Sequence, residues 1–286
     1  MRKHLETDRQ ILWVTYYRNL YNATHPSEIN SPVSLSRNLL AWNQPGTNGL
    51  ILPVNPSASF LSILFANELW FTLGDMTMAE HCAMLSMIFS PRNSGSRMIK
   101  RLAEINLVNG DDEAALKYLR ILDKTLLHKS WAEKRIPGQQ TPRVKEWLEK
   151  KRRDIPTQDQ LRSGNDAVTS LRNLVASNAG NLRAYEYLLC YHLLSKDLRS
   201  FVEDYVPGKV SSPIFAEALL IHLARQGNIR AEELIKYQIP VEIAKEFADY
   251  TRLYEAKDTS LKEKYGKTYW FYYHFATTEP GKESKP

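Results

Sequence analysis

Proline placement constrains this chain more than any other feature. Its fourteen prolines fall in clumps and leave 57–90, 92–136, 157–206, 214–239 and 241–279 clear. Proline removes a helical hydrogen bond and its ring clashes with the preceding turn, so these windows are where helices can run. Four of them contain an internal turn signal: Gly74-Asp75, Gly110-Asp111, Lys196-Asp197 and Gly227-Asn228. Two helices joined by a tight turn, several times over, is the predicted pattern.

Window 92–136 carries the fullest set of local cues. Met98, Leu102 and Ile105, with Ile99 and Asn106 beside them, form a stripe at helical spacing. Gly110 supplies a left-handed stop, and Asp111, Asp112 and Glu113 put negative charge at the next N-terminus, where the macrodipole favours it. Ala115, Leu119, Leu122 and Leu126 continue the stripe, and Lys124, His128 and Lys129 are expected at that helix's C-terminal end. Thr141-Pro142 and Ser212-Pro213 read as a cap followed by a first-turn proline. The first opens a helix with Val144, Trp147, Leu148 and Lys151 on one side; the second leads into Leu219, Leu220 and Leu223. Asn165 is expected to cap a helix carrying Val168, Leu171, Leu174 and Val175, ended by Gly180. Before residue 57 only Asp8–Tyr21 reads as helix, and Gly49-Leu50-Ile51-Leu52 is the one strand-like run, bounded by prolines.

Composition excludes several classes. Hydrophobic residues at 43% and charged residues at 24% match an ordinary globular protein and exclude disorder throughout, collagen and a disulfide scaffold. Cys82 and Cys190 lack the spacing of a cysteine zinc site. The N-terminus has no apolar run of the signal-peptide kind, and the charge-free stretch 38–67 is broken by Pro45, Pro53 and Pro56, so it is not a spanning helix. The chain as given reads as soluble. Of the net charge of +6, residues 130–165 carry +4, so no global field for nucleic acid is expected.

Arg101–Asp111 followed by Ala114-Ala115 and Tyr118-Leu119 resembles a tetratricopeptide repeat, through Ala103, Gly110 and Ala115 at its small-residue positions. Phe201 and Glu232 stand at such positions in the later units. A closer resemblance is to an uncharacterised family of Bacteroidota proteins. It rests on Arg101–Gly110, on Lys117-Tyr118-Leu119, Lys124-Thr125-Leu126 and Trp131-Ala132, on Lys267–Phe275, and on Asn43-Gln44-Pro45-Gly46 with Gly49-Leu50. Longer members of that family look like membrane proteins with spans ahead of a helical region, which implies membrane association here. The resemblance transfers no catalytic residues.

Candidate sites are few. Lys150-Lys151-Arg152-Arg153 reads either as a contact for anionic surfaces or as a solvated helix end suited to the dipole, with Glu146 and Glu149 interleaved. Tyr269-Trp270-Phe271-Tyr272-Tyr273-His274-Phe275 reads either as a protein-binding surface (Tyr269, Trp270, Tyr272, Tyr273 and His274) or as a helix that closes the end of the array. The all-round apolar helix 57–73 is expected to be buried or docked. No nucleotide loop, zinc-protease motif or nucleophile elbow occurs, so no catalytic residue, metal ligand or cofactor is assigned. Cys190 and His192, two apart, point to different sides of a helix, and His81-Cys82 has the same defect. Asn22-Ala23-Thr24 fits a glycosylation sequon.

The expected fold is all-α: an α-solenoid of antiparallel helix pairs in a tetratricopeptide-like right-handed superhelix. Residues 1–56 would form an N-terminal helix and irregular cap, 57–275 the helical-repeat domain, and 276–286 a disordered tail. The expected function is a non-enzymatic interaction scaffold for a protein or peptide, as the soluble region of, or a partner to, a membrane-associated assembly. The alternative is a glycan-type polymer-processing enzyme or accessory with Glu68, Asp75, Glu80 and Glu104 converging in a groove.

Overall fold

The computed structural model describes residues 67, 69–89, 91–157 and 167–275. The expected helix Asp8–Tyr21, the cap 1–56, most of the apolar helix 57–73, Glu68, Asn165, the sequon and the tail 276–286 lie outside them. Every regular element among the described residues is helical, and the all-α expectation holds there. The chain divides into two compact units, with the boundary between Tyr185 and Glu186. The single repeat domain expected over 57–275 spans both.

In the unit ending at Tyr185, a helical stretch 69–73 is followed by α1 (Met76–Phe89), α2 (Pro91–Asn109), α3 (Asp112–Asp123), α4 (Lys129–Glu133), α5 (Pro142–Arg152) and α6 (Ala167–Ser177). Packing is between sequence neighbours: α1 on α2, α2 on α3 and α3 on α4, with α5 returning to α2. The predicted α2 stripe is the core, with Met98, Leu102 and Ile105 fully buried. Met98 and Leu102 close against Ala83 of α1, with Met87 and Tyr118 at the edge. Ala103 meets Leu119, Leu122 and Ala132, so the small residue at 103 is where α2, α3 and α4 approach one another. Burial of each large aliphatic chain contributes about 1.5–3 kcal/mol.

Helix α7 (Leu182–Leu194) carries the boundary. The second unit continues with α8 (Leu198–Asp204), α9 (Pro213–Arg225), α10 (Ala231–Lys236), α11 (Val241–Glu255), α12 (Leu261–Tyr265) and α13 (Tyr269–Phe275). Helix α9 is its centre: α8, α11 and α13 all pack on it. Ile214, Phe215, Ala218, Leu219, Leu220, Ile221 and Leu223 of α9 are buried, which is why this helix reads as apolar on almost every side.

All four predicted turns adopt left-handed backbone: Gly74 (φ +92°), Gly110 (+83°), Lys196 (+57°) and Gly227 (+63°). At Gly110, the Gly110 N–H donates to Leu107 O and the Asp111 N–H to Asn106 O, satisfying carbonyls the helix end would orphan. Asp111 and Asp197 then cap α3 and α8, accepting from the backbone N–H of Ala114 (2.9 Å) and Ser200 (3.0 Å). Of two further stops, Gln238 (φ +55°) lacks any sequence signal, whereas Lys257 (+52°) precedes Asp258 as Lys196 precedes Asp197. Thr141 and Ser212 occupy the expected cap positions before Pro142 and Pro213, but neither hydroxyl makes a capping bond.

One expectation for α3 is corrected. The stripe predicted to run through Leu126 stops at Asp123. The Thr125 hydroxyl donates to Leu122 O at 2.7 Å and accepts from the His128 N–H at 3.2 Å, turning the chain one residue before Leu126. Leu126 is left 98% exposed, and His128 and Lys129 begin α4 instead of ending α3.

Candidate functional site

The aromatic run forms α13, and the first unit of its chemistry is internal. Tyr269 and Trp270 are fully buried and Tyr272 nearly so. Their polar tips are spent on the fold: the Tyr269 hydroxyl donates to Leu193 O (2.8 Å) and the Tyr272 hydroxyl to Leu194 O (2.7 Å). These are carbonyls of α7's last turn, which no intrahelical N–H reaches. Trp270 Nε1–H donates to Glu217 O at 3.0 Å. Burial pushes the Tyr269 phenol well above its ordinary pKa and that of Tyr272 up to about 12, so both stay protonated donors. Tyr269, Trp270 and Tyr272 therefore lie in the core and not on a surface, because a helix apolar on every side must pack most of its circumference.

Both ends of α13 are held by side chains from elsewhere in the unit. The Glu217 carboxyl accepts from the Tyr269 N–H at 2.5 Å at the N-terminus, and Lys196 Nζ donates to Tyr273 O at 2.8 Å in the last turn. A cation at the C-terminal end is the partner the macrodipole favours. Tyr273 is half-buried and accepts from Arg225 Nη1 through its hydroxyl at 2.7 Å. His274 is exposed; its Nδ1 lies 2.9 Å from Trp270 O and 2.8 Å from the Tyr250 hydroxyl. Its ring lies 4.6 Å from that of Tyr254, which is 40% exposed. Of the five residues predicted for binding, Tyr273 and His274 thus retain an outward face.

The basic run divides the same way. Lys150 and Arg153 are exposed on α5 and its cap. Arg152 donates to Val108 O (3.0 Å) and Leu107 O (2.8 Å), closing the end of α2. Lys151 turns inward: its ammonium lies 4.7 Å from the Phe71 ring centroid and 3.4 Å from Phe71 O. The four bases do not share one surface. Residues the sequence reading missed, Arg101 and Arg183, join Lys151 there: the Arg101 guanidinium stacks 3.7 Å from the Phe71 centroid, and Arg183 Nη1 donates to Thr72 O at 3.3 Å. No sequence signal links positions 101, 151 and 183.

Two of the four acids considered for catalysis, Asp75 and Glu104, have structural occupations. Asp75 accepts from the Met78 N–H at 3.0 Å in the first turn of α1, and Glu104 pairs with Arg101 at 3.0 Å. His192 is buried against Asp204, Nε2 to Oδ2 2.8 Å, and Cys190 is fully buried with its thiol pKa pushed well up. Among the described residues no group of three His, Cys, Asp or Glu is placed to hold a metal ion. Among the same residues no helix is long and apolar enough to cross a membrane.

The clearest unpartnered feature is the tip between α3 and α4. Leu126 and Leu127 are 98% and 85% exposed, and Ile121 on the last turn of α3 is 49% exposed. Arg120, Lys124 and Lys129, close to them in sequence, are exposed. The continuous periodicity of 115–126 hid this tip, since nothing but Thr125 marks the stop.

No match was found among curated proteins or among solved structures. A family model described as a family of unknown function (DUF6057) matches residues 33–276. With the match running over most of its length, from before the first described helix to the end of α13, the chain belongs to the DUF6057 family.

Proposed function

We propose that the chain is a non-enzymatic protein-interaction scaffold, acting as part of, or as a partner to, a membrane-associated assembly, its helix pairs stacked as a tetratricopeptide-like solenoid. The observation that carries this reading is the exposed pair Leu126 and Leu127 beside Ile121. Two adjacent leucines almost wholly in water forgo about 1.5–3 kcal/mol each of available burial. Such a tip pays for itself when a partner covers it. The exposed Arg120, Lys124 and Lys129, close in sequence, fit a partner whose apolar groove is rimmed by carboxylates. The outward faces of Tyr273 and His274 supply a second contact of the same kind in the other unit.

Crosslinking pull-downs from the native membrane fraction test this, comparing the natural chain with the double variant Leu126→Ser/Leu127→Ser. The expected result is a partner retained by the natural chain and lost from the variant, with thermal unfolding shifted by no more than about 0.5 kcal/mol, as for other exposed positions. Ile235→Ser, at another exposed apolar position (77%), serves as the control that keeps the partner. Equal recovery by all three chains would overturn the assignment of the tip.

A further inference from the structure

We propose that Arg101, Lys151 and Arg183 form a binding site for a tetrahedral oxyanion, the phosphate group of a soluble metabolite or of a lipid headgroup. Three helices bring these cations to one place, the end of the stretch 69–73: Arg101 from α2, Lys151 from α5 and Arg183 from the first turn of α7. The Phe71 ring is common to them, with the Arg101 guanidinium at 3.7 Å and the Lys151 ammonium at 4.7 Å from its centroid, and Trp147 stacks against it at 6.3 Å.

Donor accounting points to an absent acceptor. Lys151 has three N–H groups, and among the described residues its acceptor is Phe71 O at a long 3.4 Å. Arg183 has five, and its acceptor among those residues is Thr72 O at 3.3 Å. Lys151 and Arg183 are both half-buried. The charged groups facing Lys151 are Arg101 and Glu104 from α2, Asp154 from the end of α5, and Arg183 from α7. Glu104 is committed to Arg101 at 3.0 Å. Desolvation, with repulsion from Arg183 and Arg101 exceeding the attraction of Asp154 and Glu104, holds the Lys151 ammonium down at about 7. A dianion seated between Lys151 and Arg183 would reverse that balance, satisfy the spare N–H groups, and draw a proton onto Lys151.

The test uses the full chain and inorganic sulfate, whose charge is constant from pH 6 to 9, with calorimetry and side-chain NMR of Lys151. Saturable binding is expected, with the Lys151 titration moved upward by sulfate and the affinity falling towards tenfold per pH unit above 7. Lys151→Met and Arg183→Gln should each weaken binding at least tenfold. Lys151→Arg, which keeps the charge and does not titrate, should bind with an affinity independent of pH, and it stands in if the methionine variant fails to fold. Glycerol phosphate and vesicles of phosphatidate in phosphatidylcholine separate the sources: competition with sulfate by the soluble ester alone assigns a metabolite, and competition by the vesicles assigns a headgroup. Absence of saturable sulfate binding, or equal binding by Lys151→Met, overturns the site.

Discussion

Asp154 O and Leu73 O meet at a single buried side chain, Asn181, whose Nδ2 donates to both at 2.7 Å while its Oδ1 accepts from the Ala184 N–H at 3.0 Å. That convergence explains the Gly74 position beside it. A Cβ on Gly74 would stand 2.2 Å from Asp154 O, which is the backbone Asn181 holds in place, whereas a Cβ on Gly110 would meet nothing within 4 Å. Both glycines are left-handed, so both alanine variants bear about 1–2 kcal/mol of backbone strain. Gly110→Ala should cost roughly that much. Gly74→Ala must also displace the end of α5 and should cost at least about 2 kcal/mol more, since a buried hydrogen-bond hub is disturbed. Urea unfolding of the two variants checks this, and equal losses would contradict it. Sequence marked both positions identically as glycine followed by aspartate; only the structure reveals the chain crossing over one of them. Lys196, flagged through the aspartate that follows it, also proved left-handed; Lys257 precedes Asp258 in the same way and went unread, whereas Gln238 has no such neighbour.

At the scale of elements, the aromatic helix was legible as an object and illegible as a surface. Seven residues of Tyr, Trp, Phe and His in a row require packing on most sides, yet which tips would be spent on α7 and α9 depends on partners 50 to 80 positions away. The same holds for Glu217, which the sequence hides inside an apolar helix. Burial raises its carboxyl to about 7 against an ordinary value of 4.5; the N–H of Tyr269 works the other way, and Glu246 adds to the rise. Between those values the folded chain keeps a proton that the unfolded chain has released. Its contribution is therefore complete below about pH 4.5 and is lost as pH rises through about 7, on the order of 3 kcal/mol in all. Asp249 acts in the opposite sense: hydrogen bonds from Lys264, Arg252 and Tyr265 hold it below the usual carboxylate range, and its contribution disappears only in acid. Glu217→Gln keeps an acceptor for the Tyr269 N–H and cannot titrate. Chemical unfolding from pH 4.5 to 8 should show a smaller decline for this variant than for the natural chain. Parallel profiles would show that the carboxyl is not the titrating group.

For the molecule as a whole, the all-helical class followed from proline spacing, because hairpin grammar is local. The division at Tyr185 did not follow, because it falls inside α7, where neither proline nor glycine breaks the pattern. The two cysteines report on this division, since Cys82 lies in the unit ending at Tyr185 and Cys190 in the unit that follows. Both are fully buried, and burial with the nearby Glu186 keeps the Cys190 thiol protonated. Alkylation at neutral pH therefore requires opening of the surrounding unit, and its rate measures the free energy of that opening. Single-cysteine variants, Cys82→Ala and Cys190→Ala, separate the two signals. In the natural background both thiols should react at least a thousandfold more slowly than in urea. Adding Gly74→Ala, whose damage falls within the unit ending at Tyr185, should speed labelling of Cys82 by tenfold or more and change Cys190 by less than threefold. Should the two rates rise together, the chain opens as one cooperative body, and the boundary within α7 has no energetic meaning.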